Sequence, residues 1–274
     1  MAQKPLQLLS EFAAEAKLTG AKYLIVEGSS DVGFFKQWVT GADFDVRTRP
    51  LILAVNEFDM DAGQLFTLGL NDAERSRVIC LALFAESEKL DSVRCIADRD
   101  AEHGVKSFTP ATLIWTDFPA LESYGFEAST IDTLNTLFLG GRLPDGTTVI
   151  DQASTILLEL YTVRTHHEHL PTPDVAKGLS WYKKQPVFRV ESAVAPQLAS
   201  EIATYPRGTF SDQRSHAYGH DVCAVIICLY ANVVKSQAGV RSQEALEDML
   251  RAAILVRSDF AKFPLFQQIL AWTA

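Results

Sequence analysis

The chain has 274 residues, 47% hydrophobic and 22% charged, which is too apolar for a disordered chain and long enough for one large domain or two smaller ones. A net charge of -9 and a pI near 5.2 exclude general electrostatic binding of nucleic acid, so a nucleic-acid substrate would need a local basic surface and bound cations.

Glu11 and Glu15 interrupt the N-terminal segment, which reads as a short amphipathic helix and not as a signal peptide. Residues 22–26 (KYLIV) form an apolar run of strand length that ends at Glu27-Gly28. Ser29-Ser30-Asp31 is a helix start, and Phe34, Phe35, Trp38 and Val39 give that helix an apolar face. Residues 51–55 (LILAV) read as a second strand, and residues 56–69 as a loop with little regular structure. Residues 71–90 read as a helix, with Val78, Leu81 and Phe84 at three-residue spacing. Residues 93–97 (VRCIA) make a third strand running into Asp98-Arg99-Asp100, and residues 111–116 (ATLIWT) a fourth running into Asp117. Repeated strand-then-helix order predicts a mainly parallel sheet flanked by helices.

From about residue 129 the spacing turns helical, as in Ile131/Leu134/Phe138, Ile156/Leu160/Val163 and Leu246/Met249/Leu250/Ala253, with breaks near residues 140–141, 170–173 and 205–219. The longest apolar run, residues 222–234, is shorter than the ~20 residues a membrane span requires and reads as a buried helix. Cys80, Cys95, Cys223 and Cys228 all sit in apolar runs without a C-x-x-C pair, as expected of reduced buried thiols in a cytoplasmic protein. The chain has no G-x-x-x-x-G-K-[ST] phosphate loop and no G-x-S-x-G serine elbow.

Ligand sites of open α/β sheets lie at the carboxyl ends of the strands. Glu27, Asp98 with Asp100, and Asp117 occupy three such ends, and Glu122 follows five residues after Asp117. In extended chain Asp98 and Asp100 would point the same way. Clustered carboxylates repel one another unless a cation lies between them, and Mg2+ (or Mn2+) with oxygen ligands and phosphate suits that role. The bland readings are helix-terminal charge stabilisation for Asp31 and a loop or capping role for Asp117.

The segment Val26-Glu27-Gly28-Ser29-Ser30-Asp31, with Phe34-Phe35 behind it, resembles the first motif of TOPRIM domains, an apolar strand running into E-G-x-x-D. Asp98-Arg99-Asp100 resembles their D-x-D motif, and residues 116–124 resemble a segment of the OLD-like branch of TOPRIM nucleases, which includes the TOPRIM effectors of PARIS-type anti-phage systems. The resemblance covers residues 20–127. It implies a TOPRIM-like catalytic domain at residues 1–127 and a helical region at 128–274. It implies Glu27 as general acid/base or metal ligand, Asp98 and Asp100 as metal ligands, and Glu122 with Asp117 supporting a second ion. It implies a metal-dependent endonuclease acting on RNA, such as tRNA, or on DNA. An ATPase partner would restrain it, and it would self-associate into a homodimer on activation. The alternative is an inactive TOPRIM-like binding module that partners an ATPase.

Related effectors carry a G-H-D or G-K-D sequence like Gly219-His220-Asp221, which implies phosphate contact or proton transfer by His220; the bland reading is capping by Asp221 beside a surface histidine. Lys183, Lys184 and Arg189, among Trp181, Tyr182 and Phe188, are candidates for substrate binding, together with Arg207 and Arg214. His166, His167, Glu168 and His169 follow a predicted helix, where histidines suit the C-terminal dipole better than a metal.

Overall fold

The computed structural model describes residues 6–274 apart from 43, 46, 104, 106, 168, 169 and 203. The fold is α/β, with parallel strands flanked by helices and a helix-rich C-terminal part. Its principal helices are α1 (Leu9–Thr19), α2 (Ser29–Gly41), α3 (Glu74–Ser87), α4 (Ala128–Phe138), α5 (Gly146–His166), α6 (Gly219–Leu229), α7 (Gln243–Arg257) and α8 (Pro264–Thr273). The chain divides into two compact units: Met1–Asp98, Gly104–Asp117 and Ala261–Ala274 make the first, and Arg99–His103 with Phe118–Phe260 the second.

In the first unit, β1 (Tyr23–Val26), β2 (Leu51–Ala54), β3 (Val93–Ala97) and β4 (Leu113–Trp115) form one sheet in the order β2-β1-β3-β4, with every pair parallel. All four residues of β1 are buried, as a central strand covered on both faces requires, and this is why its sequence is a continuous apolar run. Tyr23 and Ile25 share a core with Phe12 and Ala16 of α1 and with Val78, Leu81 and Ala82 of α3. On α2, Phe35 stacks on Phe266 of α8 with centroids 6.1 Å apart, and Trp38 meets the same ring edge-on at 5.0 Å. The C-terminal helix is further tied in by Lys22 Nζ donating to the Trp272 carbonyl at 2.7 Å and by Trp272 Nε1 donating to the Asp91 carbonyl at 3.0 Å.

Residues 56–69 are more ordered than a loop. Phe58–Asp59 pairs in parallel with Gln7–Leu8, and a short helix, Ala62–Thr67, starts where Asp61 accepts the Gly63 N–H at 2.9 Å. Burial of Phe58 and Leu65 in the main core holds this segment in place.

In the second unit, α4 packs against α5 and α7, and α6 against α5 and α7. Gly146, the first residue of α5, is required by close approach: a Cβ there would overlap the backbone of Ala128. The apolar run at residues 222–234 does not make one helix; α6 stops at Leu229 and a π-helical segment, Asn232–Gln237, follows. This helical half also contains an antiparallel hairpin, β5 (Leu179–Tyr182) with β6 (Gln185–Phe188). Its two-residue loop is Lys183-Lys184, with φ of +48° and +66°, the signs a type I′ turn demands. Left-handed backbone costs a non-glycine residue about 1–2 kcal/mol, so this turn is held against local preference. Among the described residues no helix is long and apolar enough to cross a membrane. All four cysteines are free; Cys80, Cys95 and Cys223 are buried and Cys228 is half-buried, and burial raises each thiol pKa above its ordinary value.

Candidate active site

The parallel register brings Glu27 and Asp98 together. Tyr23 pairs with Val93 and Ile25 with Cys95, so one further step aligns Glu27 with Ala97 and sets its side chain beside the next peptide. Glu27 Oε1 accepts the N–H of Asp98 at 2.8 Å. Both residues are half-buried at the carboxyl edge of the sheet. The turn carrying Glu27 is braced by Asp31, whose Oδ2 accepts the Gly28 N–H at 3.1 Å, so Asp31 orients the loop as well as placing negative charge in the first turn of α2. Glu74, at the start of α3, was not singled out by sequence; its carboxylate would lie 3.6 Å from a Cβ built on Gly28, which adds a further acid to this edge. Asp117 accepts the Leu265 N–H at 3.2 Å in the first turn of α8, matching its bland reading as a capping group.

Extended backbone does not continue through the D-x-D. β3 stops at Ala97, and Asp100 and Glu102 take φ of +51° and +66°. The premise of an extended run through Asp98 and Asp100 is therefore corrected: Asp100 takes a left-handed backbone, and its N–H donates to the Pro119 carbonyl at 2.8 Å. Two non-glycine residues in the left-handed region within three positions form a strained segment of the kind that concentrates at functional sites.

The second unit gathers Glu122, His220 and Asp221 around the start of α6. Ser123 Oγ donates to the Ala217 carbonyl at 2.6 Å and draws the turn Leu121–Gly125 against the entry to the helix. The Glu122 carboxylate then fills the place where a Gly219 Cβ would be, so the anion at this helix N-terminus is a protein side chain. Glu122 is 4% exposed and ion-paired with Arg251 of α7. Asp221 is 2% exposed and bound by Arg164 through Nε at 2.7 Å and Nη2 at 2.8 Å, while the guanidinium lies 4.0 Å over the Tyr218 ring. Asp221 is thus a buried ion-pair member in the first turn of α6, beside an exposed His220. Burial lowers the Arg164 pKa, but the bonds and charge of Asp221, with Tyr218 and Asp100 adding, outweigh it and the net shift is upward.

Glu247, 4% exposed, meets His220 Nδ1 at 3.0 Å and accepts from Gln243 Nε2 at 2.9 Å. Three buried carboxylates face two guanidiniums and the His220 ring. The bond to Glu247 accordingly raises the His220 pKa above its ordinary 6.5. Burial raises the Glu247 pKa, but its bonds from His220 and Gln243 prevail and leave it below 4.5. With Nδ1 committed and the side chain 64% exposed, Nε2 is the ring nitrogen available for proton exchange. Arg164, Gln243, Glu247 and Arg251 were missed from sequence. The available signal was the i, i+4, i+8 polar series Gln243/Glu247/Arg251 beside the apolar stripe of α7.

Lys183, Lys184 and Arg189 are exposed on or beside the hairpin. His166 stacks on Tyr205 with centroids 4.1 Å apart, and His167 Nε2 lies 2.7 Å from Tyr205 Oη, so both are engaged within the protein; Glu168 and His169 lie outside the described residues. Among the described residues no group of three or more His, Cys, Asp and Glu side chains is arranged to hold a metal ion. The donor chemistry at Glu27 and Asp98 still fits Mg2+, which is commonly held by one or two carboxylates and completes its shell with water and substrate phosphate. The chain matches no protein-family model and no curated protein with which it was compared.

Proposed function

We propose that this chain is a metal-dependent nuclease of TOPRIM type that cleaves phosphodiester bonds at the edge defined by Glu27 and Asp98. The observation that carries the reading is the Glu27 carboxylate held by the Asp98 N–H at 2.8 Å across adjacent parallel strand ends, where α/β sheets place their chemistry. Glu27 and Asp98 would hold Mg2+, and the motif resemblance adds Asp117 of the same unit. The ion would supply charge stabilisation at a phosphate and an acidified water. The chain's own part is to orient Glu27 through the Asp98 N–H and to fix its loop through the Asp31–Gly28 bond. His220 with Glu247 is a separate element of the second unit that holds a proton at Nε2 above the ordinary histidine range.

By the same resemblance the enzyme is an anti-phage effector restrained by an ATPase partner, with RNA favoured over DNA as its target and self-association accompanying release. The second reading, an inactive partner of an ATPase, gains support from Glu122 and Asp117, whose carboxylates are engaged by Arg251 and by the Leu265 N–H. Single-turnover incubation of the purified chain with labelled RNA and DNA, with Mg2+ and then with chelator, separates the two. The nuclease reading expects cleavage that chelator abolishes. Intact substrates under every condition would favour the inactive partner.

A further inference from the structure

The hairpin combines three features that packing does not account for. Trp181 and Tyr182 are 51% and 64% exposed, and strand alternation puts them on opposite faces. Lys183 and Lys184 occupy a left-handed turn that favours Asn-Gly. From residue 178 to 190 the chain carries Lys183, Lys184 and Arg189 and no acid, although its net charge is -9. The root is rigid: the Arg189 N–H donates to the Gly178 carbonyl at 2.9 Å, and a Cβ on Gly178 would collide with the Phe188 ring. Strand β6 borders an open cavity of about 440 Å³ whose charged lining is mixed, with Arg189 and Arg207 beside Asp151, Glu159 and Glu191 and with Arg207 paired to Glu159 at 2.8 Å, so the basic character is confined to the finger itself.

We propose that this hairpin is a finger that binds unpaired nucleotides of a single-stranded nucleic acid, which deepens and rests on the nuclease reading. Bases stack on Trp181 and Tyr182, because any base has a π-face and an exposed indole or phenol ring is a platform for it. Lys183 and Lys184 neutralise the adjoining phosphates; Lys183 Nζ lies 5.3 Å over one face of the Tyr182 ring, so a base stacks on the opposite face. The cavity is of a size that takes a small planar group; the Gln185 amide can bond a base edge, as can the Gln152 NH2, while the Gln152 oxygen accepts from Tyr230 Oη at 2.9 Å. A duplex keeps its bases stacked on one another and offers the finger only phosphates.

The test is an anisotropy titration of the Glu27→Gln chain with a labelled single strand of about 12 nucleotides, as RNA and as DNA, and with the matching duplex. The single strand is expected to bind about tenfold or more tightly than the duplex, and Trp181→Ala with Tyr182→Ala to lose about tenfold or more in affinity. Trp181→Phe should retain most binding, and Lys183→Glu with Lys184→Glu should reduce the salt dependence by about one or more in slope. The tighter of the RNA and DNA arms identifies the strand taken. Parent-like binding by the aromatic double variant with an unchanged melting profile, or equal affinity for duplex and single strand, overturns the finger. Cleavage is not read in this titration. Hairpin variants that bind normally therefore leave the role of Glu27 intact, whereas hairpin-dependent binding by a chain that never cleaves upholds the finger and removes the nuclease.

Discussion

The acids of the two units differ in how deeply the fold buries them. At the sheet edge Glu27 and Asp98 are half-buried. In the helical unit Glu122, Asp221 and Glu247 are almost fully buried, and each faces a cation of the protein. Burying a carboxylate without a partner is prohibitively unfavourable, so the second group had to acquire Arg164, Arg251 and His220. A half-buried carboxylate keeps contact with water and can exchange it for a cation or a phosphate-bound ion. Equivalent-looking acids in the sequence thus divide into a half-buried pair at the sheet edge and a buried set that assembles the start of α6.

The largest expected effect tests the buried set. Arg164→Ala leaves Asp221 buried without its bidentate partner and should destabilise the fold by about 3–5 kcal/mol. Thermal or denaturant unfolding reads it, and a loss under about 1 kcal/mol would mean that water replaces the guanidinium and that the contrast between the units is weaker than drawn. Gly219→Ala comes next. The added methyl must displace the Glu122 carboxylate or Ala120, a strain of about 1–3 kcal/mol, and unchanged stability would show that the turn Leu121–Gly125 yields easily.

Local pattern carried the sheet. Apolar runs of strand length, three of them ending at acids, located β1 to β4, and the order of strands and helices predicted parallel pairing, because both are properties of contiguous sequence. Glu27 and Asp98 were legible for the same reason: each immediately follows its strand. The buried charge cluster was not: the polar series Gln243/Glu247/Arg251 marks one face of α7, but its partners Glu122 and His220, like Asp221 for Arg164, are distant in the chain and no local spacing names them. The return of α8 to the sheet unit is likewise invisible before Phe266 is seen against Phe35 and Trp38. The hairpin escaped because Lys-Lys is not a turn signal; only its register and positive φ reveal it.

A smaller effect sharpens the comparison through pH. The folded His220 pKa lies above 6.5, so its contribution to stability is complete at lower pH and is lost as pH rises from 6.5 through the folded value. Glu247 lies below 4.5, so its contribution is lost as pH falls through its folded value. The pair therefore stabilises most between about 4.5 and 6.5. In Glu247→Gln the His220 titration followed by NMR should move back toward 6.5, and the decline of melting temperature above that pH should flatten. An unmoved titration would detach His220 from the cluster.

The most direct measurement is the single-turnover cleavage rate of Glu27→Gln beside its melting temperature, both against the unaltered chain. The substitution keeps the side chain's shape and an oxygen able to accept the Asp98 N–H, but removes the charge at a half-buried strand end. Cleavage should fall by about 100-fold or more, the scale of a lost acid-base or electrostatic contribution, while the melting temperature shifts by no more than about 2–4 °C. Cleavage by Glu27→Gln at the rate of the unaltered chain would contradict the account.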